Sequence, residues 1–334
     1  MTIDETAALV TLDEIRAAAV SLHGVVIRSP LIPFGPPEAR HFLKAESLQP
    51  IGAFKLRGAY AAMATLSRDE LARGVITYSS GNHAQGVARA ARLLGAPAVV
   101  VMPSDAPAVK RQRVAADGAQ IVVVGTGADE RQHVAEAIAV ERGLTIIPPF
   151  DDDRIIAGQG TIGLELVEDL PDLAVVLVPV GGGGLASGVA TAVRALRPAA
   201  RVIGVEPELA ADARESLAAG EIVRWSAELA SRTIADGTRT QALGARTFAH
   251  LRAYLDSIVT VSEMEIAAAV RLAAERSRLV VEPSGALGVA ALAFHARALG
   301  LDRAGGPVVA IVSGGNVDPE RYRSYLEAPI PADG

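Results

Sequence analysis

The sequence predicts an α/β protein of the doubly wound type, in which helices cover both faces of largely parallel sheets. Eight short runs rich in β-branched residues alternate with alanine-rich stretches whose apolar residues recur at helical spacing. Most of these runs are apolar throughout, as expected for strands buried on both faces of a parallel sheet. Glycine-rich or polar motifs follow several runs, at the strand ends where open α/β sheets bind ligands.

The elements follow in order along the chain. A first helix is expected to begin near Thr11, with Glu14 three residues later completing a capping box. The four strands up to about residue 149 are expected to form a smaller lobe, and the later strands a larger one. The strand candidates are VITYS (75–79), AVVVM (98–102), AQIVVVG (119–125), TIIPP (145–149), AVVLVPV (174–180), RVIGVE (201–206), SIVTVS (257–262) and PVVAIVS (307–313).

Composition excludes several classes of protein. The 334 residues carry a net charge of -6 without a basic stripe, so we expect no nucleic-acid partner. The chain has no cysteine, which excludes disulfides, thiolate nucleophiles and zinc sites with cysteine ligands. The N-terminal residues lack a signal-peptide pattern, and proline and glycine interrupt the apolar runs before they could span a membrane. We therefore expect a cytoplasmic protein without a membrane partner.

One lysine stands out in the segment PIGAFKLRGA (50–59). Lys55 lies between Phe54 and Leu56, in a stretch that otherwise resembles a half-buried helix. It could extend from an amphipathic helix with its ammonium in water. Alternatively, it could be held for covalent chemistry, which requires the amine to lose its proton. The ten residues alone do not distinguish these two interpretations.

The segment PVGGGGLASG (179–188) follows a strong strand candidate and opens an alanine-rich helix. Glycines at a helix N-terminus let backbone N–H groups approach a phosphate, although a tight turn without a ligand has the same outline. Gly181, Gly183 and Ala186 also fit the pattern G-x-G-x-x-A, and Glu206 ends the next strand where a ribose-binding acid belongs. An NAD-dependent dehydrogenase is therefore an alternative from another class of enzyme.

Three further motifs lie at strand ends. Ser79, Ser80, Asn82 and His83 cross from a strand into a helix, where they could hold a carboxylate or simply cap the helix. His83 alone is more typical of a structural hydrogen-bonding residue than of a catalytic base. Ser313 precedes two glycines, and its hydroxyl could face a central crevice or belong to an ordinary turn.

A candidate cation site follows the strand that ends at Glu206. Asp212 lies six residues further on, with the backbone carbonyl of Ala210 between them. Carboxylate and carbonyl oxygens suit a hard cation such as Mg²⁺ or Ca²⁺. Solvated surface acids are the commoner explanation for such spacing.

Together, these motifs resemble the fold-type II enzymes (tryptophan synthase β-like) that use pyridoxal 5′-phosphate. The nearest branch is serine/threonine dehydratase (ammonia-lyase) and serine racemase. GAFKLRGAY, SSGNHAQG, AGQGTIGLEL, PVGGGGL and VSGGN occur in the order of that family, over about residues 28–325. The resemblance implies two open, twisted parallel-sheet domains with the active site between them. The small domain would comprise residues 70–150, and the large cofactor-binding domain residues 1–69 and 151–334.

The resemblance also implies roles for single residues. Lys55 matches the lysine that binds the cofactor covalently, and Ser80 the second acid/base of the racemases. The substrate carboxylate would be received by Ser79, Ser80, Asn82 and His83, and a divalent cation by Glu206, Ala210 and Asp212. Cofactor contacts would come from Phe54, Lys55, Asn82, Gly181, Gly182, Gly183, Gly184, Leu185 and Ser313.

The implied reaction is β-elimination on an amino-acid substrate, such as L-threonine or L-serine, to a 2-keto acid and ammonia. Serine racemase, and an ammonia-lyase for threo-3-hydroxyaspartate or phenylserine, stay open as alternatives. Residues that would choose between them are sought in FDDDRIIAGQG (150–160), including Arg154, and in DGTRTQALGA (236–245). The resemblance further implies a homodimer.

Overall fold

The computed structural model describes residues 8–79, 81–104, 106, 108–125 and 127–331. Within these residues, ten strands form two sheets. The strands are β1 (Leu31–Pro33), β2 (His41–Ala45), β3 (Val75–Tyr78), β4 (Ala98–Pro103), β5 (Gln120–Val124), β6 (Thr145–Ile146), β7 (Val175–Pro179), β8 (Arg201–Pro207), β9 (Ser257–Val261) and β10 (Val308–Val312). The α/β class expected from the sequence is confirmed.

The larger sheet has the strand order β1-β2-β10-β7-β8-β9, and the smaller has the order β5-β4-β3-β6. All neighbouring strands pair in parallel except β1 and β2, which are antiparallel. The smaller sheet uses only strands between residues 75 and 146, and the larger sheet uses strands from before and after that segment. The precise domain boundaries given above stay predictions.

Fourteen α-helices connect the strands in the described part of the chain. They are α1 (Leu12–Ser21), α2 (Lys55–Ala64), α3 (Arg68–Arg73), α4 (Asn82–Leu94), α5 (Ala108–Ala116), α6 (Ala128–Arg142), α7 (Asp153–Asp169), α8 (Gly184–Leu196), α9 (Asp212–Ala219), α10 (Ala227–Ala230), α11 (Ala245–Tyr254), α12 (Glu263–Ser277), α13 (Pro283–Phe294) and α14 (Pro319–Leu326). None of the helices described combines the length and apolar character needed to cross a bilayer.

Alternate residues of the central strands enter different hydrophobic clusters, which shows that the larger sheet is covered on both faces. In β7, Val175 and Leu177 pack into one cluster, whereas Val176 and Val178 pack into another. Successive side chains of a strand point to opposite faces, so both faces must be buried. This explains why the strand candidate AVVLVPV (174–180), which contains β7, is apolar at every position.

The capping box expected at the first helix is confirmed. The hydroxyl of Thr11 accepts a hydrogen bond from the N–H of Glu14, and the carboxylate of Glu14 accepts one from the N–H of Thr11 at 2.8 Å. Such a cap contributes about 1 kcal/mol to the stability of a helix.

All eight strand candidates are present, but two strands were missed and one is shorter than expected. The missed strand β1 has only three residues and ends with Pro33 at the edge of the sheet, so its pattern is too short to indicate a strand. The missed strand β2 contains Lys44, whose fully buried ammonium is neutralised by Glu165 at 2.5 Å. β6 ends at Ile146, shortly before Pro148 and Pro149, which have no N–H to donate to a neighbouring strand.

Candidate active site

Lys55 is the first residue of α2, and the chain before it is tied to the end of β10. The N–H of Phe54 donates to the carbonyl of Ser313 at 3.1 Å, and Ala53 forms a bridge with Gly314. A Cβ on Gly86 in α4 would lie 3.1 Å from the carbonyl oxygen of Lys55. The lysine therefore emerges where the larger sheet meets the first helix after β3.

Among the residues described, no carboxylate is a hydrogen-bond partner of the Lys55 amine. Its Nζ donates to the carbonyl oxygen of Pro149 at 2.6 Å and lies 5.2 Å from the centre of the Phe54 ring. Burial lowers the pKa of Lys55 to about 8. The neutral amine, which is the nucleophilic form, is therefore accessible near physiological pH.

The chain contains only three lysines, so the other two can be compared with Lys55 directly. Lys44 is fully buried in an ion pair with Glu165, and Lys110 forms an ion pair with Asp236 at 2.7 Å. Both of these amines thus have a carboxylate partner. Lys55 is thus the lysine best prepared for covalent chemistry.

A buried ion network fixes the start of α2. Arg57, two residues after Lys55, is fully buried and donates to Glu46 and Glu165 at distances between 2.7 and 3.1 Å. Glu165 also pairs with Lys44, which donates to the backbone of Ser29. The network joins α2 to α7 and to the end of β2.

The four glycines connect β7 to α8, and the atoms around them leave no room for a side chain at these positions. A Cβ on Gly181 would be 3.1 Å from the Cα of Thr238, and one on Gly182 would collide with the Phe150 ring. Gly183 has a φ of +90°, in the left-handed region that favours glycine. The loop continues into α8 through Gly184 and the buried Leu185.

The N-terminus of α8 offers an anion site. The first N–H groups of an α-helix have no acceptor within the helix, and the helix dipole places partial positive charge there. The residue before the helix is Gly183, which provides no side chain to cap these groups. A phosphate could therefore occupy this position.

A second strand-to-helix loop lies between β3 and α4. The hydroxyl of Ser79 accepts a hydrogen bond from the N–H of Gly81 at 3.3 Å. α4 begins at Asn82, and no side chain of a described residue caps its N-terminus, so its first N–H groups can bind a carboxylate. Ser80, the predicted second acid/base, lies outside the described residues.

His83 is buried and neutral. Its Nε2–H donates to the carbonyl of Ile147 at 3.0 Å, and its Nδ1 has no hydrogen-bond partner among the residues described. Burial lowers the pKa of His83 to about 3, and the charge of Lys55 contributes to the shift. An imidazole in this state is too weak a base for proton abstraction, in agreement with the structural role considered above.

Asn82 is held by two residues that sequence reasoning missed. Its Nδ2 donates to the Glu282 carboxylate at 2.6 Å, and its Oδ1 accepts from the Nδ2 of Asn316 at 2.8 Å. Pro149, which accepts a hydrogen bond from Lys55, was also missed as a site residue. Phe150, which lies against the glycine loop, begins the segment 150–160 in which residues for substrate choice were sought. No motif marked Glu282 or Pro149, and Asn316 ends the motif VSGGN without a role having been assigned to it. Glu282 directly precedes a proline that opens a helix, which is a signal worth testing.

Ser313 directly follows β10 and is buried. Its hydroxyl makes one long contact, at 3.5 Å, with the carbonyl of Ser284. Such a weak bond leaves the hydroxyl able to turn toward another acceptor. Its backbone carbonyl binds the N–H of Phe54, so Ser313 and Lys55 belong to the same site.

The candidate cation ligands lie at the end of β8. Glu206 is fully buried and accepts from the N–H groups of Ala213 and Arg214 at 3.0 and 2.8 Å. Burial raises the pKa of Glu206 well above its usual range, and Asp212 adds to this shift. The Oδ2 of Asp212 is buried, without a hydrogen-bond partner among the described residues.

One observation favours a bound cation at this position, and another argues against it. The unpartnered oxygen of Asp212 suits a cation, whereas no group of three or more acidic or histidine side chains in the described part of the chain could hold one. A cation there would depend on backbone carbonyls such as that of Ala210, and on water. The cation site stays a prediction.

The same geometry argues against the dehydrogenase alternative. The carboxylate that would bind a ribose belongs to Glu206, and it is buried against the N-terminus of α9. It caps that helix and is not free to contact a nucleotide. The glycine pattern alone does not distinguish a dinucleotide from a single phosphate.

The assembled residues fit pyridoxal phosphate on chemical grounds. The N-terminus of α8 suits its phosphate, the Lys55 amine suits its aldehyde, and the Ser313 hydroxyl suits a pyridine nitrogen. Asn82 keeps one amide N–H beyond the one used by Glu282. These groups come from four separate parts of the chain.

Comparison with known proteins agrees with this chemistry. The family described as "Pyridoxal-phosphate dependent enzyme" matches residues 24–314. The chain is 43% identical over 288 residues to an L-threo-3-hydroxyaspartate ammonia-lyase of Saccharomyces cerevisiae, covering 86% of each protein. It is 42% identical to an L-threonine ammonia-lyase of Thermotoga maritima, covering 93% of this chain and 76% of that one. The structure of maize serine racemase matches with a TM-score of 0.89 at 35% identity, covering 96% of this chain and 98% of the other.

Proposed function

Because this chain belongs to the family of pyridoxal-phosphate dependent enzymes, we propose that it converts a β-hydroxy amino acid into a 2-keto acid and ammonia by β-elimination. L-Threonine and L-serine are the proposed substrates. The observation that carries the proposal is that Lys55 lies in one site with Ser313, has a lowered pKa and has no carboxylate partner in the part of the chain that the structure describes. Relatives named as ammonia-lyases at similar identity support the reaction class.

The proposed roles follow from the position of each group. The glycine loop and the N-terminus of α8 bind the cofactor phosphate, and Asn82 and Ser313 contact its ring. The N-terminus of α4, with Ser79, binds the substrate carboxylate. Pyridoxal phosphate, when bound, supplies the electron sink that stabilises negative charge at Cα.

In the proposed reaction, Lys55 transfers the proton of the substrate Cα. Its free amine takes the proton from Cα, which is general-base catalysis by a positioned group. Its lowered pKa brings the amine close to the pH at which it must both accept and release protons. The β-hydroxyl leaves as water, and hydrolysis of the product gives the keto acid and ammonia. On the opposite face, Ser80 would be the acid/base that allows racemisation.

The cations considered as partners for a charged substrate side chain are already paired with aspartates, which favours a substrate with an uncharged side chain. Arg154, a candidate to bind the second carboxylate of 3-hydroxyaspartate, is already paired with Asp152 at 2.6 Å. Lys110 is likewise paired with Asp236. A substrate with a second carboxylate would have to compete with these pairs. Serine or threonine requires no such exchange.

The test begins with the colour of the purified protein. We expect a yellow chromophore that borohydride bleaches, with the reduced adduct on the tryptic peptide that contains Lys55. Lys110→Arg is the matched control and should keep the chromophore, whereas Lys55→Ala should lose both the chromophore and turnover. An adduct on another side chain, or a colourless protein that binds NADH, would contradict the proposal.

Substrate choice is tested by screening. Release of keto acid from L-threonine, L-serine, threo-3-hydroxyaspartate and phenylserine should be fastest with the first two. Chiral analysis of the serine reaction for D-serine tests the racemase alternative. Faster turnover of 3-hydroxyaspartate than of threonine would overturn the argument from Arg154.

Three finer proposals accompany the reaction. We propose that Glu206, Asp212 and the carbonyl of Ala210 bind Mg²⁺ or Ca²⁺, supported by the buried, unpartnered oxygen of Asp212. We also keep the expectations of a homodimer and of a cytoplasmic location. Analytical ultracentrifugation and cell fractionation test these last two directly.

A further inference from the structure

Glu282 immediately precedes α13, but its side chain does not cap that helix. A carboxylate at the start of a helix ordinarily accepts hydrogen bonds from the first N–H groups. Here the buried Glu282 carboxylate instead accepts from the side-chain amide of Asn82, 200 residues away in sequence, at 2.6 Å. The N–H of Glu282 donates to the carbonyl of Gly314 at 3.1 Å.

The position of the carboxylate requires a glycine beside it. A Cβ on Gly314 would collide with Oε1 of Glu282. Gly314 follows Ser313, whose hydroxyl is the proposed partner of the pyridine nitrogen. Glu282 thus lies between the strand end that carries Ser313 and the helix that begins with Asn82.

Asn82 is held on its other side by Asn316. The Nδ2 of Asn316 donates to the Oδ1 of Asn82 and to the carbonyl of Ile51, both at 2.8 Å. The Oδ1 of Asn316 accepts from the guanidinium of Arg113. Both groups of the Asn316 amide therefore have partners, and its orientation is fixed.

These contacts determine which way the Asn82 amide faces. An amide has one oxygen acceptor and two N–H donors. Asn316 occupies the oxygen, and Glu282 occupies one N–H, so the remaining N–H is available to a ligand. A rotation by 180° would place the oxygen of Asn82 against the carboxylate of Glu282 and break both bonds.

We propose that Glu282 is a positioning residue that, with Asn316, orients Asn82 so that one amide N–H is kept for the 3-oxygen of pyridoxal phosphate. This inference depends on the proposed function, because it assigns Asn82 to the cofactor ring. The surroundings of Glu282 disfavour its charged form. Burial raises the pKa of Glu282 to about 7 and Asp236 adds to the shift, while the Asn82 amide and Lys110 oppose it.

A double-mutant cycle tests the inference without turnover. The variants are Glu282→Ala, Asn82→Ala and the double variant, each measured for the dissociation constant of pyridoxal phosphate and for the visible absorption of the resting holoenzyme. Each single variant should weaken cofactor binding by about tenfold, as expected for one hydrogen bond to a buried charged or polar group. The double variant should be little worse than Asn82→Ala alone, because Glu282 acts through Asn82.

A conservative variant and a control separate positioning from simple destabilisation. Glu282→Gln can still accept from Asn82 and should restore most of the affinity and the wild-type spectrum. Glu265→Ala removes the capping carboxylate of α12 and its contact with His295, so it should lower the melting temperature without changing the spectrum.

Additive losses in the double variant, or an unchanged spectrum and affinity in Glu282→Ala, would overturn the inference. Failure of the proposed function would be recognised separately, because the wild-type protein itself would then carry no chromophore on Lys55.

Discussion

The side-chain nitrogen of Lys55 lies 2.6 Å from the backbone carbonyl oxygen of Pro149. A carbonyl dipole holds the amine in place without stabilising its charge as fully as a carboxylate would. Burial, not a neighbouring cation, is the cause of the lowered pKa of Lys55. The amine is therefore both positioned and easily deprotonated.

The first prediction concerns the pH dependence of cofactor binding by the apoenzyme. Because the pKa of Lys55 is lowered to about 8, the neutral amine predominates above that pH and decreases about tenfold for each pH unit below it. The rate of reconstitution with pyridoxal phosphate should rise with pH and level off above about pH 8. Stopped-flow absorbance measures this rate.

The matched control for that experiment is the reaction of the cofactor with N-acetyl-lysine amide. Its amine has an ordinary pKa, so its rate should continue to rise to about pH 10. If the protein and the model amine follow the same profile, burial does not activate Lys55.

The second prediction concerns the glycine loop. Gly183→Ala places a Cβ at a φ of +90° and 2.9 Å from the Cβ of Thr247, whereas Gly220→Ala has a φ of +75° with open space around it. Both variants should lose about 1–2 kcal/mol of unfolding free energy from the left-handed backbone. Only Gly183→Ala should also weaken cofactor binding, measured by equilibrium dialysis. Equal affinities in the two variants would remove the loop from the phosphate site.

The third prediction concerns Ser313. A neutral hydroxyl cannot hold a proton on the pyridine nitrogen as a carboxylate would, which favours elimination over transamination. Ser313→Asp should therefore shift the visible spectrum and reduce elimination, while Ser313→Ala should change the spectrum less because it introduces no charge. Unchanged turnover and spectrum in Ser313→Asp would count against this role.

The sequence predicted those elements whose burial is visible in the pattern of apolar and polar residues of the element itself. The strands β4, β7 and β10 are recognisable because burial on both faces makes them apolar. β5, β6 and β9 are only partly buried and were recognised by their β-branched residues. β2 was missed because Lys44 interrupts its apolar pattern, and only Glu165, far along the chain in α7, makes that lysine tolerable. The residues of β2 alone do not show that Glu165 pairs with Lys44.

The candidate site divides in the same way. Lys55, the glycine loop and Ser313 were proposed from the sequence because each directly follows a strand candidate or belongs to a recognisable motif. Glu282 and Asn316 were missed, because they act on Asn82 from 200 and 234 residues away. Their roles depend on the three-dimensional arrangement of α4, α13 and the end of β10.

The fourth prediction tests the proposed cation site. Mg²⁺ should raise the melting temperature of the protein, since a ligand that binds only the folded state stabilises it by about 2.7 kcal/mol at a hundred times its dissociation constant. Asp212→Asn should abolish this effect. Glu215→Gln is the matched control, because it also removes one negative charge, three residues after Asp212. The Glu215 carboxylate accepts a hydrogen bond from Trp225 and is not a proposed ligand, so this variant should preserve the effect. A shift that survives in Asp212→Asn would place the cation elsewhere.

The fifth prediction concerns the ion network that anchors α2. Arg57→Met would leave the buried Glu46 and the largely buried Glu165 without their guanidinium, which costs about 3–5 kcal/mol of unfolding free energy for a broken buried pair. Arg28→Met breaks the exposed pair with Glu168 and should cost less than about 1 kcal/mol. Urea unfolding of the two apoenzymes measures both values.

Adding Glu46→Gln to Arg57→Met should recover part of that loss, because it removes one of the carboxylates left unpaired. The same network holds the first turn of α2, which carries Lys55. Arg57→Met should therefore also slow reconstitution with the cofactor more than Arg28→Met does. Similar small losses in both single variants would mean that the network contributes little, and that packing against α4 and α7 alone fixes the start of α2.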